Sequence, residues 1–199
     1  MFIDFEGIDG AGTETWSKYS NNFFKAKGRQ VSLYRYPDYN SPWGKIISDF
    51  LDGRIELETD IQFLTYSADI LKDADSIRRD VSDKVVITDR YILSTMAYQC
   101  SKGFPVEKAL RFYDIFEYPK PDYIVLLVTS SEISRKRKVS EHGKLDRHEI
   151  DGGYLDKVLD HYLLFSREKY ISDKWVVIDT SGDMEETGRR IETFLNSII

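Results

Sequence analysis

The 199-residue chain carries 28 Lys and Arg against 34 Asp and Glu, a formal net charge of −6, and 41% of its residues are hydrophobic. That length suits one domain with a sizeable core, and residues 1–199 read as such a domain. The acidic balance argues against a general binder of nucleic acid or membrane surfaces, because sequence-independent attraction to polyanions relies on excess Lys and Arg.

A lone cysteine, Cys100, forbids an intramolecular disulfide. A first strand starting at Phe2 leaves no room for a signal peptide, and no apolar run approaches the roughly 18 residues of a membrane span. Cytoplasmic residence with no membrane association is the expectation. Three histidines and one cysteine do not make a protein metal cage; His142 and His148 fall in a polar loop.

In chain order, strands are predicted at 2–6, 30–35, 84–88, 122–128 and 174–179, each a short run rich in β-branched and aromatic residues. Helical periodicity fills 13–27, 43–52, 59–82, 91–101, 106–117, 130–141, 153–171 and 184–198. This alternation is the signature of βαβ units and a parallel sheet. Gly28 follows the first helix, Pro105 can open another, and Pro119-Lys120-Pro121 forces an extended approach to the fourth strand. Ile191, Leu195 and Ile198 form one stripe on the last helix, as a helix packed on a sheet requires. The least regular stretch is 139–153, where Gly143, Gly152 and Gly153 lie amid charges; it reads as a lid.

Three segments carry chemistry. Directly after the first strand, Phe5-Glu6-Gly7-Ile8-Asp9-Gly10-Ala11-Gly12-Thr13-Glu14-Thr15 keeps the glycine spacing of the phosphate-binding loop G-x-x-x-x-G-K-[ST], with Thr13 in place of Lys and Glu14 in place of the hydroxyl residue. A glycine-rich turn between strand and helix is an anion site by geometry; the alternative is an ordinary tight βα turn. The run Val85 to Arg90 is an apolar strand ending in an acid and a base, and ligands of open parallel sheets lie beyond such strand ends. Asp89 and Arg90 there suit metal-water and phosphate contacts, or a capping Asp beside a solvated Arg. Arg135-Lys136-Arg137-Lys138, followed by Lys144, Asp146, Arg147 and His148, is either a solvated helix face or a source of positive charge for a transferring phosphoryl group.

Together these segments resemble the thymidylate kinase (dTMP kinase) family nearly end to end. The family pattern F-E-G-x-D-G-A-G-K-[ST]-T matches Phe5 to Thr15 with two substitutions. Its D-R-[YFH]-x-x-S-[TN]-x-A-Y-Q matches Asp89, Arg90, Tyr91, Ser94, Thr95, Ala97, Tyr98 and Gln99, which is highly specific. Phe63 to Ile70 looks like L-L-F-[SA]-A-[ND]-R, and Leu145 to Glu149 like the end of the lid.

The resemblance implies a nucleoside-monophosphate-kinase-like P-loop α/β fold with a five-stranded parallel sheet flanked by helices, ATP and Mg²⁺, and a homodimer. It implies that Gly7, Gly10, Ala11, Gly12, Thr13, Glu14, Thr15, Arg135 and Arg137 bind ATP, with Glu14 and Asp89 on the metal. Asp9 would bond the 3′-hydroxyl of dTMP, Arg90 would hold the monophosphate, and Asp89 would act through Mg²⁺ or its water shell. Tyr66 would stack on thymine, Thr95 and Gln99 would face the base, and Tyr98 would screen against a ribose 2′-hydroxyl. Core packing is the alternative for both tyrosines.

Four positions depart from the family: Thr13, Glu14, Tyr39 for the Arg after Pro37-Asp38, and Ile70 for the base-reading Arg. Each removes a cation or adds an anion beside polyanionic ligands. Lys18, Arg135, Arg137 and Arg147 can substitute, and Arg147 is the expected catalytic arginine of the lid. Transfer of the ATP γ-phosphoryl to dTMP is the leading reading. A kinase for another nucleoside monophosphate, favoured by Ile70, and a silent nucleotide-binding homologue, favoured by Thr13 and Glu14, stay open beside it.

Overall fold

A computed structural model describes residues 1–142 and 152–199. The five apolar runs are strands β1 (Phe2–Gly7), β2 (Val31–Arg35), β3 (Val85–Asp89), β4 (Tyr123–Val128) and β5 (Trp175–Asp179). They pair in parallel throughout, in the order β2-β3-β1-β4-β5. All six residues of the central β1 are buried, including Asp4 and Glu6. The register sets Phe5 beside Asp89 on one side and Val125 on the other, so Gly7 and Asp89 end at the same sheet edge. This is the α/β fold that the alternation of strands and helices predicts.

Nine helices cover the sheet among the described residues: α1 (Thr13–Ala26), α2 (Pro42–Leu51), α3 (Thr59–Leu71), α4 (Ala74–Val81), α5 (Ile92–Cys100), α6 (Val106–Ile115), α7 (Ser131–His142), α8 (Gly152–Arg167) and α9 (Met184–Ser197). Ile191 and Leu195 of α9 are fully buried, as their stripe demands.

One predicted helix, 59–82, is two. The chain turns at Lys72 and Asp73, where Asp73 N–H bonds back three residues to the Ile70 carbonyl instead of four. Asp73 also accepts from the Tyr36 hydroxyl at 3.0 Å and from Lys72 Nζ at 2.8 Å, which fixes the turn by tertiary contact. No glycine or proline marks it, so periodicity alone runs straight through.

Candidate active site

The turn after β1 is built by holding its carbonyls away from the ligand side. Ile8 carbonyl accepts from Ala11 N–H at 3.1 Å, Asp9 carbonyl from the Ser134 hydroxyl, Gly10 carbonyl from Arg137 Nη1 at 3.1 Å, and Ala11 carbonyl from the Thr180 hydroxyl at 3.0 Å. The N–H groups of the first α1 turn, which have no intrahelical acceptor, remain for an anion. Gly10 is obligatory here: its φ is +73°, and a Cβ would meet the Ser134 carbonyl oxygen at 2.8 Å. Helix α7 thus rests directly on the loop. Gly12, with φ 97°, opens α1 in the left-handed region.

Arg137 is therefore bound to main chain, donating to the Gly10 carbonyl and, at 2.6 Å, to the Thr180 carbonyl. In this structure it braces the loop. Lys136 pairs with Glu132 on an exposed face, as a solvated cluster does. Arg135 is half-buried. Residues 139–142 close α7 and 152–153 open α8, so both ends of the expected lid are helical; Arg147 and the other residues of 143–151 lie outside the described residues.

Across the sheet edge, Arg90 takes φ 68°, a conformation that a non-glycine residue holds only when its surroundings over-determine it. They do. Its N–H donates to the Phe5 carbonyl at 2.9 Å, Nη1 to the Gly7 carbonyl at 2.7 Å and the Ser94 hydroxyl at 3.2 Å, and Nη2 to Asp9 Oδ1 at 2.7 Å. Burial, the largest single influence, would weaken its hold on its proton, but Asp9, Tyr98, Tyr162 and Asp89 together outweigh this and keep the guanidinium charged. Asp9 Oδ2 accepts from the Tyr98 hydroxyl at 2.7 Å.

Beneath Arg90 lies Glu6, whose part is not evident from the sequence. Glu6 Oε1 accepts from the N–H groups of Tyr91 and Ser94 at 2.9 and 3.1 Å, and Oε2 from the hydroxyls of Ser94 and Tyr162 at 2.5 and 2.8 Å. It caps α5 from another strand, since Tyr91 supplies no side-chain cap. Burial pushes its carboxyl up to about 7 against the pull of these donors. Asp4, also fully buried, is pushed well up by burial and by Glu6. The readable signal was a pair of acids inside an otherwise apolar strand.

A cavity of about 80 Å³ opens beside Arg90. Asp9, Tyr66, Ile70, Thr95, Tyr98 and Gln99 all line it, so the acceptor-side residues named from sequence converge on one space. Gln99 Oε1 is buried with no hydrogen-bond partner among the described residues, an acceptor placed where a ligand N–H can meet it. Tyr39 and Asp69 line the same wall. Asp69, unremarked in the sequence, accepts from Asp38 N–H at 2.7 Å and the Ser41 hydroxyl at 2.5 Å, which fastens the loop after β2 to α3.

At the far side of the loop, Asp89 is buried with Oδ1 lacking any partner among the described residues. Burial raises its carboxyl, while Arg90 and a hydrogen bond from Thr13 act to lower it. Glu14 is instead engaged by two cations, Lys18 Nζ at 2.6 Å and Arg35 Nη2 at 2.7 Å, and the Lys18 hydrogen bond foremost holds its carboxyl low. Thr15 is exposed. Among the described residues no three His, Cys, Asp or Glu side chains group as a metal cage.

A five-stranded parallel sheet of this order, with a glycine-rich loop after its central strand and an Asp-Arg pair at the end of the next, defines a P-loop kinase of the nucleoside-monophosphate-kinase type. The sequence model described as Thymidylate kinase matches residues 5–191. A probable thymidylate kinase of Methanocaldococcus jannaschii is 32% identical over 201 residues, covering 100% of this chain and 97% of that protein. The thymidylate kinase of Dictyostelium discoideum is 27% identical over 205 residues, covering 99% and 85%. That of Tropheryma whipplei is 31% identical over 201 residues, covering 96% and 93%. The chain belongs to the thymidylate kinase family. No helix among the described residues is long and apolar enough to cross a membrane.

Proposed function

We propose that this chain is a thymidylate kinase, moving the γ-phosphoryl group of ATP to the 5′-phosphate of dTMP to give ADP and dTDP. The observation that carries the reading is the double placement of Asp9. Its backbone belongs to the phosphate loop, and its carboxylate forms the wall of the cavity with Arg90 and Tyr98. Donor and acceptor sites therefore meet at one residue, which is what in-line transfer between two bound nucleotides requires.

In this reading the N–H groups of the loop and the α1 N-terminus hold the phosphate chain of ATP. Arg90, rigid in its left-handed turn, holds the dTMP phosphate, and Asp9 orients the sugar. Tyr66 and Ile70 flank the base while Thr95 and Gln99 face it. Arg135 brings positive charge from α7 as the phosphoryl group moves, and Arg147 is the further arginine assigned to that task.

The unpartnered, buried Oδ1 of Asp89 fits a Mg²⁺ ion held through water, and a site with few protein carboxylates suits an ion that keeps several waters and phosphate oxygens. Such an ion would neutralise charge developing on the phosphates. Glu14, tied to Lys18 and Arg35, is less suited to that ligation than its sequence position suggested.

Homodimerisation has support in the exposed apolar side chains of adjoining helices α2 and α3, Trp43, Ile46, Ile61 and Leu64. Light scattering at the mass of two chains is the expected result. A buried free thiol, Cys100, accords with a cytoplasmic enzyme. An ADP-release assay across nucleoside monophosphates tests the function: turnover with dTMP above the others is expected, and turnover confined to a different acceptor would overturn it.

A further inference from the structure

The missing lysine of the phosphate loop leaves a gap in charge that the fold fills from a neighbouring strand. Thr13 occupies the lysine position and is buried, and its hydroxyl acts to lower the Asp89 carboxyl. The parallel register sets Arg35 at the end of β2 directly beside Asp89. Arg35 Nη2 lies 2.7 Å from Glu14 Oε2 and Nε 3.5 Å from Asp89 Oδ2. One guanidinium thus bridges the first turn of α1 and the acid that ends β3.

We propose that Arg35 supplies the positive charge toward the ATP phosphates that the loop lysine supplies elsewhere, and that Glu14 is its tether.

The charges around the loop's mouth support this. Asp89 and Glu14 are two carboxylates beside the place where a polyphosphate must sit, and without a cation they would repel it. Arg35 and Lys18 are the cations that touch them among the described residues. Lys18 is a turn further along α1 and touches Glu14, whereas Arg35 reaches Asp89 as well. Its side chain stays 55% exposed, so its planar fork can turn from carboxylate to phosphate without unburying core. The two substitutions in the motif become one exchange: Lys is lost at 13, and an acid is gained at 14 to anchor an Arg from β2.

This inference rests on the reading of the loop as an ATP site, and the test separates the two. ATP affinity is measured by calorimetry, with and without Mg²⁺, for the natural chain, Arg35→Ala, Thr13→Lys and the double variant, alongside kcat and KM for each substrate. The natural chain is assayed first. Failure to bind ATP there contradicts the kinase reading itself, whereas bound ATP leaves Arg35 open to judgement. Arg35→Ala is expected to weaken ATP binding about tenfold or more and to lower kcat, with KM for dTMP little changed. Thr13→Lys in that background is expected to restore affinity to within about threefold of the Thr13→Lys single variant.

If Arg35→Ala fails to fold, Arg35→Gln is measured the same way, with a thermal melt as the check on folding. ATP affinity and kcat within about twofold of the natural chain would show that Arg35 is a solvated surface residue. A double variant no tighter than Arg35→Ala would show that Arg35 serves only to hold Asp89, and either outcome overturns the proposal.

Discussion

Tyr98 and Asp9 bind each other twice: the Tyr98 hydroxyl donates to Asp9 Oδ2 at 2.7 Å and accepts from Asp9 N–H at 3.1 Å. The phenol is thereby locked against the phosphate loop, its ring forming part of the cavity wall. Tyr98→Phe removes both bonds and keeps the ring. KM for dTMP is expected to rise about tenfold, the weight of a hydrogen bond to a charged group, while UMP stays excluded. Tyr98→Ala is expected to admit UMP. Steady-state kinetics on both nucleotides decide; an unchanged ratio of UMP to dTMP in Tyr98→Ala would show that the sugar is screened elsewhere.

Arg90 makes its contacts with two separate nitrogens, so charge alone does not replace it. Arg90→Lys is expected to lose about 10³-fold in kcat/KM for dTMP, nearly as much as Arg90→Ala, because a point charge cannot reproduce the fork. Recovery of more than a tenth of natural activity by Lys would mean that Arg90 acts mainly as a diffuse charge.

Glu6 links pH to stability. Its folded carboxyl titrates at about 7 against an ordinary 4.5, so the unfolded chain gives up this proton first. The contribution is fully present below about pH 4.5 and is lost as pH rises through 7. Asp4, raised by burial, acts in the same direction. Glu6→Gln is expected to flatten the fall in melting temperature over that window and to cut kcat by replacing, with an N–H donor, the oxygen that accepts from the Ser94 and Tyr162 hydroxyls beneath Arg90. A pH profile of melting temperature identical to that of the natural chain would refute the assignment.

Much of this was legible in the chain. The five strands lie within a residue of their predicted starts and ends, because each is a short run rich in β-branched and aromatic residues bounded by turn residues. The cavity residues Asp9, Tyr66, Thr95, Tyr98 and Gln99 were legible as motif positions. What stayed hidden depends on contacts distant in sequence. The break at Asp73 is set by Tyr36, the cap on α5 by Glu6, and the brace on Gly10 by Ser134 and Arg137. Periodicity holds no information about such pairs. Arg35 was invisible for the same reason: only the β2 and β3 register brings it to Asp89.

Base selection follows from Ile70, which is buried in the cavity wall and offers no polar group. An Arg there would donate to the 4-oxo group of thymine and repel the 4-amino group of cytosine. In the proposed function Gln99 is left to read the base, and because an amide can present either oxygen or nitrogen, weak discrimination is expected. The expectation is kcat/KM for dUMP and dCMP within about two orders of magnitude of dTMP. Ile70→Arg should widen the gap to dCMP. A natural preference for dTMP over dCMP above about 10⁴-fold would show that another polar group reads position 4.

The most direct test of the central claim is product analysis from purified, folded protein given ATP, Mg²⁺ and dTMP, with dTDP and ADP separated by anion-exchange chromatography. The account requires that both form in equal amounts and that omission of dTMP abolish ADP release. Retained ATP binding with no dTDP formed at millimolar nucleotide would contradict it.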